Sequence, residues 1–210
     1  MVERQLRRRG IRDERVLAAM EEVPRELFVP ASIQVRAYED AALPIGSGQT
    51  ISQPWIVAAT CEALALGGDE TVLEVGGGSG YTGAVLARLA IRVISIELVP
   101  ELAAAARVAL AAAGFGTDQV EVVVADGSLG WPGEAPYEAI AVHAAAPVPP
   151  QSLLSQLAPG GRMVVPVGTG RNEILTEFGR DATEPERFRS RPIAPCRFVP
   201  LLGAEGFGKD

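Results

Sequence analysis

One stretch, Thr71-Val-Leu-Glu-Val-Gly-Gly-Gly-Ser-Gly-Tyr81, limits what this chain can become more than any other: an apolar run enters four glycines within five positions. A backbone that must turn tightly and let a ligand come close needs residues without a Cβ. The run before the glycines is short and rich in β-branched residues, as a buried strand is. The segment therefore predicts a strand, a tight turn over a nucleotide-like cofactor, and a helix.

The rest of the chain repeats that alternation. Strands are expected at Thr71–Val75, Arg92–Glu97, Val120–Ala125, Tyr137–Val142 and Gly161–Val167, and helices at Tyr81–Leu89, Glu101–Ala113 and Gln151–Leu157. Strands separated by helices need crossover connections, which give a mostly parallel sheet covered on both faces. Glu173–Phe178 and Arg197–Leu202 read as two last strands, an antiparallel pair at one edge. Upstream, Val2–Arg9 and Asp13–Glu22 read as helices, the second with Asp13 as N-cap and Val16, Leu17 and Met20 on one apolar face. Ile56–Leu66 reads as a further helix ending at Gly67-Gly68. Between Pro24 and Pro54, proline and glycine punctuation suggests a long ordered loop, and such loops in compact domains usually carry function.

At 210 residues the chain is expected to form one domain, with a single core that buries roughly 70% of the unfolded surface. Within it, 1–70 would supply helices and a substrate loop, 71–170 the cofactor-binding core, and 171–210 the edge strands. No apolar run approaches the ~20 residues of a membrane span, and charged Arg12-Asp-Glu-Arg15 stands where a secretory signal needs an apolar core. A cytoplasmic location is expected. The net charge of −7 repels polyphosphate backbones, which argues against nucleic acid as a partner; Arg7, Arg8 and Arg9 read as a solvated helix face. Cys61 and Cys196 lie far apart without a Cys-x-x-Cys, so free buried thiols are expected and no metal site is signalled.

Three acidic residues fall at successive strand ends: Glu74, Glu97 and Asp126. In open parallel sheets, ligands bind beyond the carboxyl ends of the strands. A carboxylate after the second strand can accept both ribose hydroxyls, and one after the third can accept an adenine amino hydrogen. Gly78-Ser-Gly80-Tyr-Thr-Gly83 also fits the dinucleotide fingerprint, with Glu97 at about the ~20-residue spacing. If the turn instead begins at Gly76, however, the third glycine position is Tyr81, and Asp126 then has no role in a dinucleotide site. A methyl donor, S-adenosylmethionine, accounts for all three acids, with Gly76 to Gly80 passing close to its methionine part.

Taken with the upstream loop, the chain resembles the protein-L-isoaspartate (D-aspartate) O-methyltransferase family. The segments that carry the likeness include Val23-Pro-Arg-Glu-Leu-Phe-Val-Pro30, Leu43-Pro-Ile-Gly-Ser-Gly-Gln-Thr-Ile-Ser-Gln-Pro54, Val72-Leu-Glu-Val-Gly76, Gly78-Ser-Gly-Tyr81, Ala144-Ala-Ala-Pro147 and Gly160-Gly-Arg-Met-Val-Val-Pro-Val-Gly168. The Gly48-Gln-Thr-Ile-Ser-Gln-Pro54 box is specific to this family; the glycine loop is common to many methyltransferases. The resemblance implies a class I S-adenosylmethionine-dependent methyltransferase fold, Rossmann-like, with a mostly parallel seven-stranded sheet and an N-terminal helical extension. It also implies methylation of the free α-carboxylate of isoaspartyl residues, with D-aspartyl residues as a further possible acceptor. The ester then closes to a succinimide, which hydrolyses partly to normal aspartate and so repairs damaged proteins. A monomer acting on such proteins or peptides is expected.

The family pattern assigns Ser52 as the residue nearest the reacting groups, its hydroxyl orienting the acceptor. It gives peptide contacts to Thr50, Ile51, Ser52 and Val199, and cofactor contacts to Glu74, Gly76, Gly78, Ser79, Glu97, Asp126, Gly127 and Gln53. A carboxylate with a pKa near ~4 is already ionised at neutral pH, so its methylation needs no general base. Apart from the family, Ser52 reads as a turn hydroxyl capping the next helix, and the Gly48–Pro54 box reverses that reading. Tyr81 and Trp55 read as packing residues that wall the cofactor, and His143 as a packed or solvated side chain near the rim.

The chain departs from the family at His143, where a small or hydroxyl residue is usual, at Gly77, where threonine or serine is common, and at Trp55 and Thr60. A bulkier rim could narrow the peptide groove, so a relative that methylates an aspartate in one peptide during maturation is an alternative. A nicotinamide-dependent oxidoreductase and a binding protein without turnover are the readings from other classes.

Overall fold

The computed structural model describes residues 1–170 and 172–208. Before the sheet come a π-helical turn at Val2–Leu6, a 3-10 turn at Arg7–Arg9 and helix α1 (Glu14–Glu22). The expected Val2–Arg9 helix is thus a wider turn followed by a tighter one. Asp13 caps α1, its carboxylate accepting from the Arg15 and Val16 amides, as a short acidic side chain before a helix does.

The Pro24 to Pro54 stretch is not loop throughout. After two 3-10 segments, Arg25–Phe28 and Ala31–Arg36, strands β1 (Leu43–Gly46) and β2 (Gln49–Ile51) pair antiparallel. Helix α2 (Pro54–Leu64) follows, starting two residues earlier than expected because Pro54 occupies its first turn, where a missing N–H costs nothing. It ends before Gly67, at Ala65 in the left-handed conformation.

From there the alternation appears largely as read: β3 (Thr71–Val75), α3 (Tyr81–Leu86), β4 (Arg92–Glu97), α4 (Pro100–Ala112), β5 (Val120–Val124), β6 (Tyr137–Val142), α5 (Gln151–Ser155) and β7 (Leu157–Val167). Strand β8 (Glu173–Arg180) is also present, but the last strand, β9, is Phe188–Cys196. Arg197–Leu202 is instead a loop carrying isolated bridges from Pro200 to Ala145 and from Leu202 to Phe207. The seven-stranded sheet has the order β5-β4-β3-β6-β7-β8-β9, parallel except for the antiparallel β7-β8-β9 edge.

Strand alternation divides the core into two layers. Val72, Val93, Ala139 and Ala141 face one layer, with α1, α2 and α3; Leu73, Val75, Ile94, Ile96, Ile140 and Val142 face the other, with α5. By the same parity Glu74, Ser95, Glu97 and His143 all point to the first face. Chain order reverses between β3 and its neighbour β6, and the site lies beyond their carboxyl ends.

Candidate active site

The glycine loop leaves β3 through three positions in the left-handed region, Gly76 (φ 83), Gly78 (φ 54) and Gly80 (φ 86), which L side chains rarely adopt. The Ile96 carbonyl holds its start, accepting from the Gly76 amide at 2.8 Å and the Gly77 amide at 3.1 Å. Glu97 holds its middle: one carboxylate oxygen accepts from the Gly78 amide at 2.8 Å and the other from the Val99 amide, also at 2.8 Å. Each oxygen retains acceptor capacity, since a carboxylate offers about four lone-pair sites. Glu97 lines the cavity and is nearly buried, so ribose hydroxyls brought there would meet an acceptor already fixed in place.

One cavity brings together most of the expected residues. Thr50, Ile51 and Ser52 line one side, Gly76, Gly78, Ser79 and Glu97 the loop side, and Gly127 and Val199 the remainder. Gly127 cannot be larger, because a Cβ there would lie 2.6 Å from Cγ1 of Val75. Ser52 does not cap α2. The N-cap of that helix is Gln53, which makes no side-chain cap bond, so the turn-hydroxyl reading of Ser52 fails, and Ser52 is one of the residues lining the cavity.

Three expected cofactor residues are placed differently. Glu74 does not line the cavity: it is fully buried beneath the loop, accepting from the Ser95 hydroxyl at 2.5 Å. Its register partner across β3-β4 is that same Ser95, so the pleat turns it toward α3 and away from the opening. Asp126 caps the short 3-10 turn Gly127–Leu129, accepting from the Ser128 amide and hydroxyl, and also accepts from the Ala204 amide at 2.9 Å. The segment after β9 therefore lies against it. Gln53 turns outward to Asp40, donating to its carboxylate at 2.8 Å.

Neither aromatic walls the cavity. Tyr81 is buried against Phe28, with ring centroids 5.6 Å apart, and Trp55 stacks under Arg9 and donates to the Arg9 carbonyl. Cys61 is buried, as expected, but Cys196 only half-buried.

His143 does enter the cavity wall. Its amide donates to the Val75 carbonyl at 2.8 Å, which seats it one residue past β6, beside Gly76. Burial holds its imidazole down to about 4, while burial pushes the Glu74 carboxyl up to about 8. Gly77 lines the wall within the glycine run expected to pass the donor, whereas sequence reasoning missed Thr82, Leu98, Leu201 and Leu202 there.

Comparison with known proteins shows the family to which the chain belongs. The family pattern described as protein-L-isoaspartate(D-aspartate) O-methyltransferase matches residues 1–206. The chain is 54% identical over 209 residues to protein-L-isoaspartate O-methyltransferase 2 of Marinobacter nauticus, covering 99% of this chain and 93% of that protein. To protein-L-isoaspartate O-methyltransferase 1 of Rhodopseudomonas palustris it is 53% identical over 208 residues, covering 99% and 83%. A solved protein-L-isoaspartate O-methyltransferase superposes with a TM-score of 0.83 at 29% identity, over 98% of this chain and 67% of that one. A Plasmodium falciparum chain crystallised with S-adenosyl-L-homocysteine shares the fold, with a TM-score of 0.79 at 22% identity and 96% of both chains covered.

Proposed function

The chain belongs to the protein-L-isoaspartate(D-aspartate) O-methyltransferase family, and on that premise we propose that it methylates the free α-carboxylate of L-isoaspartyl residues in damaged proteins. S-adenosylmethionine, when bound, supplies an electrophilic sulfonium methyl. The cavity fits this donor: Glu97 offers fixed acceptors for a ribose, and the glycine loop admits a ligand to its backbone. Family membership removes the ground for a nicotinamide reading of the same loop.

Ser52 is the residue we assign to the acceptor. Its hydroxyl is free of the helix cap and can donate to a carboxylate oxygen, turning the other toward the glycine loop. No side chain has to remove a proton, because the acceptor is ionised before it binds. What the chain contributes is placement in a site with little water, an effect of proximity and desolvation. The methyl ester so formed is open to the neighbouring backbone nitrogen, which closes the succinimide with loss of methanol.

The observation that carries the proposal is that the Thr50-Ile-Ser52 segment and Glu97 line one cavity. Incubation with methyl-labelled donor and one peptide in its isoaspartyl and aspartyl forms tests it. Labelling confined to the isoaspartyl form is expected; equal labelling, or none, contradicts it. A screen over unrelated isoaspartyl peptides separates general repair from maturation of one peptide. Of the two bulky departures from the family, Trp55 is turned away and His143 lines the cavity, and broad activity is expected.

Among the described residues no helix is long and apolar enough to cross a membrane. The free thiols of Cys61 and Cys196 suit a reducing cytoplasm, where we place the enzyme as a monomer.

A further inference from the structure

Arg25 is a charged side chain with no exposure at all. Burying a cation without an anion is costly, and such groups are ordinarily ion-paired. Here no carboxylate lies within ion-pair distance among the described residues. The guanidinium instead forks between two backbone carbonyls: Nε donates to Ala37 at 2.7 Å and Nη2 to Ser52 at 2.7 Å. Its face stacks on the Tyr81 ring, 4.7 Å from the centroid, and Nη1 has no partner. Burial pulls its pKa down, with Tyr81 opposing, yet a guanidinium stays charged at any pH the protein tolerates.

The three contacts join three parts of the molecule. Ala37 follows the second 3-10 segment, Ser52 carries the acceptor hydroxyl, and Tyr81 is the first residue of α3, directly after the glycine loop. One rigid planar group thus spans the wall for the acceptor and the base of the loop for the donor. We propose that Arg25 is a positioning residue for methyl transfer, fixing the Ser52 backbone relative to the glycine loop and placing a buried positive charge behind the acceptor carboxylate. This rests on the function proposed above. A lysine could supply the charge but not the fork, whereas glutamine could supply at most part of the fork and no charge. Both substitutions should weaken use of the acceptor far more than binding of the donor.

The test compares wild type with Arg25→Lys and Arg25→Gln, measuring kcat and KM for an isoaspartyl peptide and calorimetric affinity for S-adenosylhomocysteine. Loss of a hydrogen bond from a charged group corresponds to roughly 10- to 100-fold in an equilibrium. For both variants a fall of that size in kcat/KM is expected, with affinity for S-adenosylhomocysteine changed less than about threefold. Wild-type turnover with unaltered variants overturns the proposal and leaves the function intact. Equal loss of turnover and S-adenosylhomocysteine binding in both variants, including through unfolding, also overturns it, since Arg25 would then be only a core strut. Wild type that binds S-adenosylhomocysteine but does not methylate the peptide refutes the function itself, and this role with it.

Discussion

Nε2 of His143 lies 3.5 Å from Oε1 of Glu74, and both atoms are buried with no hydrogen-bond partner. Strand parity and register put them there. Glu74 is opposite Ser95 on β4 and Ala141 on β6, and His143 follows two residues after Ala141 on the same face. Burial favours the neutral form of each group, so near neutral pH the pair carries its proton on Glu74.

The sign of the pH dependence follows. A carboxyl raised to about 8 when folded, from an ordinary 4.5, holds a proton that the unfolded chain has lost, so its contribution to stability falls as pH rises across that range. His143, lowered from 6.5 to about 4, acts in the opposite direction, but only below about 6.5. From pH 6.5 to 8, therefore, stability should decline, by on the order of 1 kcal/mol per pH unit at most from Glu74 alone. Denaturant melts across that window should show this slope, and Glu74→Gln should flatten it.

Gly77 and Ser95 should be coupled. A Cβ on Gly77 would lie 2.2 Å from the Ser95 hydroxyl oxygen, and the hydroxyl can move aside only by giving up its bond to Glu74. Gly77→Ala should cost about 1–3 kcal/mol. In a Ser95→Ala background the same change should cost at least about 1 kcal/mol less, a non-additivity expected of touching residues. Thermal or denaturant unfolding of the four proteins in the cycle measures it.

Ser52→Ala should separate the two halves of the cavity. Removing a hydrogen bond to a charged acceptor should lower kcat/KM for an isoaspartyl peptide roughly 10- to 100-fold, while calorimetry should show S-adenosylhomocysteine binding nearly as in wild type. Loss of both together would place Ser52 on the wrong side of the cavity.

Glu97→Gln should do the reverse. An amide would turn two donor hydrogens toward the amide of Gly78 or Val99, where the carboxylate now accepts from both. Affinity for S-adenosylhomocysteine should fall roughly 10- to 100-fold, with KM for the peptide little altered at saturating donor. Calorimetry together with steady-state kinetics checks this.

Local chemistry explains which parts of this arrangement could be read from the sequence. The central strands are buried on both faces and declare themselves as apolar runs, and β4 and β6 have the bounds expected of them. Glu97 was legible as the last residue of such a run. Strand β9 was not: Arg189, Arg191, Pro192 and Pro195 break its pattern, as charges and prolines do on an exposed edge, and the apolar Phe198-Val-Pro-Leu-Leu202 beyond it was read as strand instead. The three displaced cofactor residues share one cause. Each found a partner distant in the chain: Glu74 has Ser95, Asp126 has Ala204 and Gln53 has Asp40. Parity alone could have sent Glu74 inward, and Asp126 ahead of Gly127-Ser128 has the local pattern of a cap; nothing local announced the partner of Gln53. Arg25 gave no local sign of its task, because both carbonyls it holds lie more than ten residues away.

The most direct test is a crystal structure with S-adenosylhomocysteine and an isoaspartyl peptide bound together. The ribose hydroxyls should meet the Glu97 carboxylate, and the free α-carboxylate of the peptide should accept from the Ser52 hydroxyl while facing the donor sulfur. A peptide carboxylate seated away from residue 52, or a ribose with no contact to residue 97, would contradict the account.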